Sequence, residues 1–219
     1  MSQVSTGAST GARSASFEQR QVSVRPGRLR DVFFFLRHIV LGAQQRHFSE
    51  LFLRPFDQLM LVKRCCHALL RNAPIARGRV CGDRFLVAEL AGGTVGAALT
   101  ETSRRGDRYS VLLAYVVVDP AVHRKGVASA LVRQVIQQAP APSTVVCACA
   151  PASKGMMKLL ARLQFKRLQR AVEIPGLVAP RLFQYGKPAV APALMPPPHA
   201  AFLPGLIRGG RLATGADRS

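Results

Sequence analysis

The chain has 219 residues, 48% hydrophobic and 19% charged, which suits one compact domain with tails and excludes a chain disordered throughout. Its 31 Lys and Arg stand against 11 acids, a net charge of +20, and no acid falls between Asp119 and Glu173. Such a field attracts anions: a phosphorylated small molecule, an acidic protein, nucleic acid or an anionic surface.

Residues 1–21, rich in Ser, Gly and Ala with Arg13 and Arg20, read as a flexible leader. Their composition resembles an organellar transit peptide without its apolar face, and they lack the hydrophobic stretch of a secretory signal. Val22–Pro26 is a short strand candidate, followed by a helix over about Leu29–Leu41. The Phe33-Phe34-Phe35 run inside that helix, flanked by Arg30 and Arg37, is far too short to cross a membrane. A second helix is expected over about Ser49–Leu70, with Pro55 near the start of its regular part.

The period then changes. Arg84–Leu90 and Thr94–Thr100 read as a hairpin around Ala91-Gly92-Gly93, and Ser103–Asp107 as a polar connection. Tyr109–Val118 is almost wholly apolar, as expected of a strand covered on both faces. Asp119-Pro120 ends it. From Gly126 to about Gln138 a helix is expected, with Ala128, Leu131, Val132, Val135 and Ile136 on its apolar face. Thr144–Ala150 is another buried strand, and Ser153–Leu163 a helix with Met156, Leu159, Leu160 and Leu163 inward. Phe165–Ile174 and Leu182–Lys187 are weaker strand candidates, and the Pro/Ala/Gly-rich residues 189–219 read as a disordered tail. The pattern implies one mixed α+β sheet domain over 22–188.

Cys65, Cys66, Cys81, Cys147 and Cys149 have no zinc-site spacing, so the reading is free thiols and no metal site.

The chemistry concentrates in VVVDPAVHRKGVASALV, residues 116–132. A buried strand stops at a proline, and a short basic loop leads into a helix. The start of a helix presents unpaired N–H groups and the positive end of its dipole. Gly126, Ala128 and Ser129 are small enough for an anion to reach the backbone, and His123, Arg124 and Lys125 add donors and charge. A diphosphate fits there on these grounds alone.

This stretch resembles the cofactor motif of the GNAT N-acetyltransferase superfamily, Gln/Arg-x-x-Gly-x-Gly/Ala after a strand ending Val-x-Pro. Here it reads His123-Arg124-Lys125-Gly126-Val127-Ala128. Residues 22–31 look like the family's opening strand and helix start, 84–99 like its central hairpin, and 152–168 like its second cofactor motif, Asn-x-x-Ala-x-x-Leu-Tyr-x-x-x-Gly-Phe. The likeness spans most of 22–188 in the same order.

The resemblance implies a GNAT-like α+β fold and transfer of an acetyl group from acetyl-CoA to a primary amine. It implies that Val116, Val117 and Val118 lie beside the pantetheine arm. The amides of His123, Arg124, Lys125, Gly126, Val127 and Ala128, with Ser129 nearby, would hold the pyrophosphate. Ser153 stands where the family often has an Asn. The departures are His123 for Arg or Gln, Gln164 for Gly, Leu160 for the Tyr that protonates the departing thiolate, and no carboxylate on the long strand before Asp119. Tyr115, Tyr185 and Glu101 are the remaining acid/base candidates, beside plain readings of Tyr115 as core and Glu101 as an exposed or edge residue. An acidic or ribosome-presented acceptor fits the charge better than a polycation. The rival readings are a GNAT-like module that holds acetyl-CoA without turnover and a basic nucleic-acid-binding protein. The expected compartment is cytoplasmic, or a plastid or mitochondrion if the leader is a transit peptide. A homodimer is left open.

Overall fold

The computed structural model of the protein describes residues 22–72, 81–140, 142–169 and 174–186. The expected leader and tail lie outside these residues. In chain order the elements are β1 (Ser23–Pro26), α1 (Leu29–Gln44), a 3-10 turn (Glu50–Leu53), α2 (Pro55–Asn72), β2 (Gly82–Leu90), β3 (Gly93–Arg105), β4 (Arg108–Val118), α3 (Val127–Gln138), β5 (Ser143–Cys149), α4 (Lys154–Arg162), β6 (Lys166–Leu168) and β7 (Arg181–Tyr185).

The strands form one seven-stranded sheet in the order β1-β2-β3-β4-β5-β7-β6. All pairings are antiparallel except β4 with β5. That parallel step needs a crossover, and α3 provides it. Strand alternation sends side chains to two cores. Leu86, Val111, Leu113 and Val145 meet Leu131, Val132 and Val135 of α3 and Leu160 of α4 on one face. Phe85, Val87, Leu99, Tyr115 and Val117 meet Phe35 and Ile39 of α1 and Leu61, Cys65 and Ala68 of α2 on the other.

Three expectations about elements need correction. Residues 103–107 are not a polar connection: β3 runs on to Arg105 and β4 starts at Arg108, around a turn at Gly106-Asp107. Ser103 and Arg104 are exposed, so no buried face marked them as strand, and the Arg104 guanidinium lies 5.5 Å from the Tyr109 ring centroid. The helix expected from Ser49 is a 3-10 turn, capped by the Ser49 hydroxyl accepting from the Leu51 amide, followed by α2 starting at Pro55. Proline suits the first helical position and forces the preceding Arg54 out of helical geometry, at ψ 134. Finally, β6 is confined to Lys166–Leu168, and residues 170–173 of its expected span lie outside the described residues.

The start of α1 is pinned by a buried acid. Asp31, 2% exposed, accepts from the Arg28 amide at 2.8 Å, from Arg25 at 2.7 Å and from the Thr94 hydroxyl at 2.9 Å. It thereby ties β1, α1 and β3 together. Burial alone would raise the carboxyl, but the bonds from Arg25, Arg28 and Thr94 outweigh it and hold the carboxyl below its ordinary value. A depressed folded-state value gives stability that is complete above the unfolded value of about 3.9 and is lost as pH falls through the folded one. Asp31→Asn should therefore lower stability by about 2–3 kcal/mol at neutral pH. Urea unfolding followed against pH should show that deficit shrinking below about pH 4.

Candidate functional site

The sheet opens on one side of β4. β4 and β5 are paired only from Tyr109–Leu112 against Ser143–Val146, yet β4 continues to Val118 and β5 to Cys149. The cause is a bulge. Leu99 faces Tyr115 but Thr100 faces Leu113, so Ala114 is an extra residue. A bulge bends its strand and reverses the alternation beyond it. Leu113 accordingly packs toward α3 while Tyr115 packs toward α1.

Beyond the bulge, the backbone directions follow from two contacts. The Asp119 amide donates to the Val95 carbonyl at 2.9 Å, and the Val117 carbonyl lies against Gly96 of β3. Alternate residues of a strand point their polar groups to opposite edges, so the N–H and C=O of Val116 and Val118 point into the opening, and those of Val117 point back to β3. Of the three valines expected beside the pantetheine arm, two present backbone groups to the opening.

The opening is a cleft of about 900 Å³, lined by residues 112–118, the start of α3, the end of β5 and the start of α4. Its far wall is the end of α1, the loop carrying His47, Phe48 and Ser49, and the turn at 174–177. These last two are tied together by the Ser49 hydroxyl donating to the Pro175 carbonyl at 2.9 Å and the Glu50 amide to the Gly176 carbonyl at 3.4 Å.

At one end of the cleft stands the N-terminus of α3. Gly126 is its N-cap, at φ +81, a left-handed conformation that glycine adopts without strain. Arg124 is also left-handed, at φ +65. The His123 and Lys125 amides are spent on turn bonds to Pro120 and Val122. Among the described residues, the amides of Arg124, Gly126, Val127, Ala128 and Ser129 have no backbone partner. The anion cradle is thus narrower than the sequence suggested, and His123 and Lys125 can contribute only side chains, both exposed.

Packing explains how this turn is held at the sheet. Val127 is 2% exposed, and a Cβ on Gly96 would come within 2.7 Å of its methyl group. Glycine at 96 lets the helix start press against the strand. Val127, and not Ala128, is therefore the core residue of the first turn, which leaves the half-buried Ala128 and Ser129 at the cleft.

Several cleft residues escaped the sequence reading, Arg133 and His47 among them. Arg133 lines the cleft and donates to the Ser129 hydroxyl at 3.3 Å; the i, i+4 spacing on α3 was the available signal. His47 lies 3.2 Å through Nδ1 from the Ser153 hydroxyl. This bond joins the α1 side of the sheet to the α4 side across 106 positions of chain, and nothing local announces it.

The three acid/base candidates are placed differently: Tyr115 borders the cleft, and Glu101 and Tyr185 do not. Tyr115 borders the cleft, but its ring is packed edge-on against Phe35, Phe48 and Phe52 at centroid distances of 6.3, 6.1 and 5.4 Å. Burial pushes its phenol well above the ordinary value. Glu101 is not among the cleft residues and accepts from Arg64 at 2.9 Å, beside Asp83 at 2.8 Å. Asp83 and Glu101 flank the buried Arg64 in a network between α2, β2 and β3. Tyr185 packs on Phe165, with centroids 5.3 Å apart. Cys147 and Cys149, 3.9 Å apart, line the cleft floor; the neighbouring thiol and burial hold Cys147 protonated, which disfavours it as a nucleophile.

The second motif ends in a Schellman turn. The Phe165 amide donates to the Leu160 carbonyl at 3.0 Å, the Gln164 amide to Ala161 at 3.1 Å, and Leu160 and Phe165 are buried together. Gln164 sits at φ +65, where glycine carries no Cβ penalty. Gln164→Gly should therefore raise stability by about 0.5–1 kcal/mol, visible as a higher thermal midpoint. Leu160, fully buried, is a core residue and presents no group to the cleft.

Among the described residues no helix is long and apolar enough to cross a membrane, and no cluster of His, Cys, Asp and Glu could hold a metal. Residues 81–167 match the family profile described as an acetyltransferase (GNAT) domain. No curated protein matches the chain in sequence. Solved structures do match its fold. Salmonella typhimurium yncA, solved with its cofactor acetyl-CoA, superposes with a TM-score of 0.58 at 16% identity, over 80% of this chain and 99% of that one. The ribosomal-protein-alanine N-acetyltransferase of Brucella melitensis gives 0.55 at 16% identity over 75% and 99%. The paia N-acetyltransferase of Thermoplasma acidophilum, in complex with coenzyme A, gives 0.53 at 9% identity over 76% and 99%.

Proposed function

Residues 81–167 match an acetyltransferase (GNAT) domain profile and the fold is GNAT-like, and from that premise we propose that the chain moves the acetyl group of acetyl-CoA directly to a primary amine. The observation that carries the reading is one juxtaposition: an unpaired strand edge, Val116 and Val118, leads along an apolar cleft to a helix N-terminus with free amides. A long, thin ligand with an amide-bearing arm and a diphosphate is the shape and chemistry that this arrangement fits. Similar folds holding acetyl-CoA or coenzyme A support the same ligand.

In this reading the amides of Arg124 and Gly126–Ser129 hold the diphosphate, with Arg133 adding charge. The edge of β4 takes the arm by backbone hydrogen bonds, and the Val116 amide is directed to polarise the carbonyl. The bound co-substrate supplies an activated acetyl thioester. The apolar walls exclude water, so that the amine and not solvent is acylated, and the loop at 45–49 with 174–177 positions the acceptor. Ser153 and His47 form the polar pair beside the reacting end. Tyr115 and Glu101 serve the fold and take no proton in this scheme.

Thiol release from acetyl-CoA, measured over a panel of peptides and small amines, tests the proposal. Amine-dependent release with an acetylated product of the expected mass supports it. Saturable coenzyme A binding with no turnover on any amine would reduce the protein to a cofactor-holding module.

A further inference from the structure

We propose that the acceptor is the α-amine at the N-terminus of an acidic polypeptide, and not a lysine side chain or a polyamine; this rests on the acetyltransferase reading above. The titratable side chains that line the cleft, apart from the buried Tyr115 and the two thiols, are His38, His47, His123, Arg124, Arg133 and Arg162. Among the described residues no aspartate or glutamate lines it. The acids closest to the two cores are engaged elsewhere: Asp31 and Glu89 with Arg25, Asp83 and Glu101 with Arg64. Asp119 is turned to the Ala121 amide.

Among the described residues, a cleft so built has no carboxylate to attract an ammonium ion or to deprotonate one. It suits an amine that arrives neutral. In the balanced reaction the nitrogen lone pair forms the new N–C bond. The C–S bond breaks with its electron pair going to sulfur, and one of the amine's own protons ends on that sulfur. A neutral amine therefore needs no external base. At pH 7.5 about a third of peptide α-amines are neutral, against about 0.1% of lysine side chains. Solution speciation alone thus favours the α-amine by a factor of about 250, before any contact with the site is made. The cationic rim and the net charge of +20 select against polyamines and basic tails and favour an acidic segment following the amine.

The test uses the full chain and acetyl-CoA, with binding of acetyl-CoA measured by calorimetry on the same sample. One short acidic peptide carries a free N-terminus and no lysine. A second, of the same composition, has a blocked N-terminus and one lysine. Spermidine is the third acceptor. The expected result is a kcat/KM at pH 7.5 at least about 50-fold higher for the first peptide, levelling above about pH 8 as the α-amine becomes neutral. That preference should fall as salt rises from about 50 to about 200 mM. Comparable or faster acetylation of the lysine peptide or spermidine would overturn the inference and leave the acetyltransferase reading intact. An inert α-amine peptide on a sample that binds acetyl-CoA would overturn it too. Glu173, outside the described residues, adjoins the far wall in sequence. Glu173→Gln should leave the preference unchanged, and loss of α-amine turnover with intact acetyl-CoA binding would overturn the inference by supplying the missing base. No binding of acetyl-CoA would remove the underlying reading itself.

Discussion

Ala128→Asp should abolish coenzyme A binding, weakening it by at least about a hundredfold, while the thermal midpoint stays level or rises. Ala128 occupies the second position of α3 and lines the cleft. A carboxylate there is favourable for the helix itself, because it meets the positive end of the dipole. The same carboxylate would occupy the free amides of Gly126–Ser129 and repel a diphosphate at about 4 Å, where two unit charges near a protein surface interact by about 4 kcal/mol. Binding and stability thus move in opposite directions, which a merely disruptive substitution would not produce. Calorimetry and a thermal melt on one preparation read both. Unchanged affinity would mean that the diphosphate lies elsewhere. Reversing charge at the exposed Arg124 and Lys125 should have a smaller effect, growing at low salt.

The second large effect concerns stability. Arg64, 5% exposed, holds Asp83 and Glu101 at 2.8 and 2.9 Å. Replacing it with Met leaves two neighbouring carboxylates without their cation. Breaking a buried pair by removing one partner costs about 3–5 kcal/mol, and the 38% exposure of Glu101 brings the expected loss down to about 2–3 kcal/mol by letting water solvate it. The thermal midpoint should fall by about 5–10 °C. Glu101→Gln, in contrast, should leave kcat unchanged per folded molecule, because its carboxylate faces Arg64 and not the cleft. A large kcat loss in that variant, with a normal KM for acetyl-CoA, would return Glu101 to a catalytic role.

Much of this architecture was legible because burial imposes a period. The apolar run of β4 and the helical spacing of Leu131, Val132 and Val135 fixed the central strand, the crossover helix and their order. The glycine and small residues at 126–129 marked the helix start that we propose as the anion site, since the need for close backbone approach restricts residue type. The local cause of the sheet's opening was not legible. It is the bulge at Ala114, where no glycine or proline marks the extra residue and the apolar run passes through unbroken. The same bulge turned Tyr115 to the α1 side, into the packed position that its plain reading as a core residue gave it. The ion pair of Glu101 was not legible because its partner Arg64 lies on α2, far away in sequence. The left-handed Arg124 and Gln164 show the opposite limit: the fold imposes there a conformation that the residue type does not advertise.

The most direct measurement of the central claim is a calorimetric titration of the folded full chain with acetyl-CoA, and in parallel with dephosphorylated pantetheine, which lacks the diphosphate. The account predicts saturable binding of acetyl-CoA at one site per chain, with pantetheine weaker by a hundredfold or more, on the order of the charge-assisted contacts that it forgoes. Equal affinity for the two, or no saturable heat with acetyl-CoA, would contradict it.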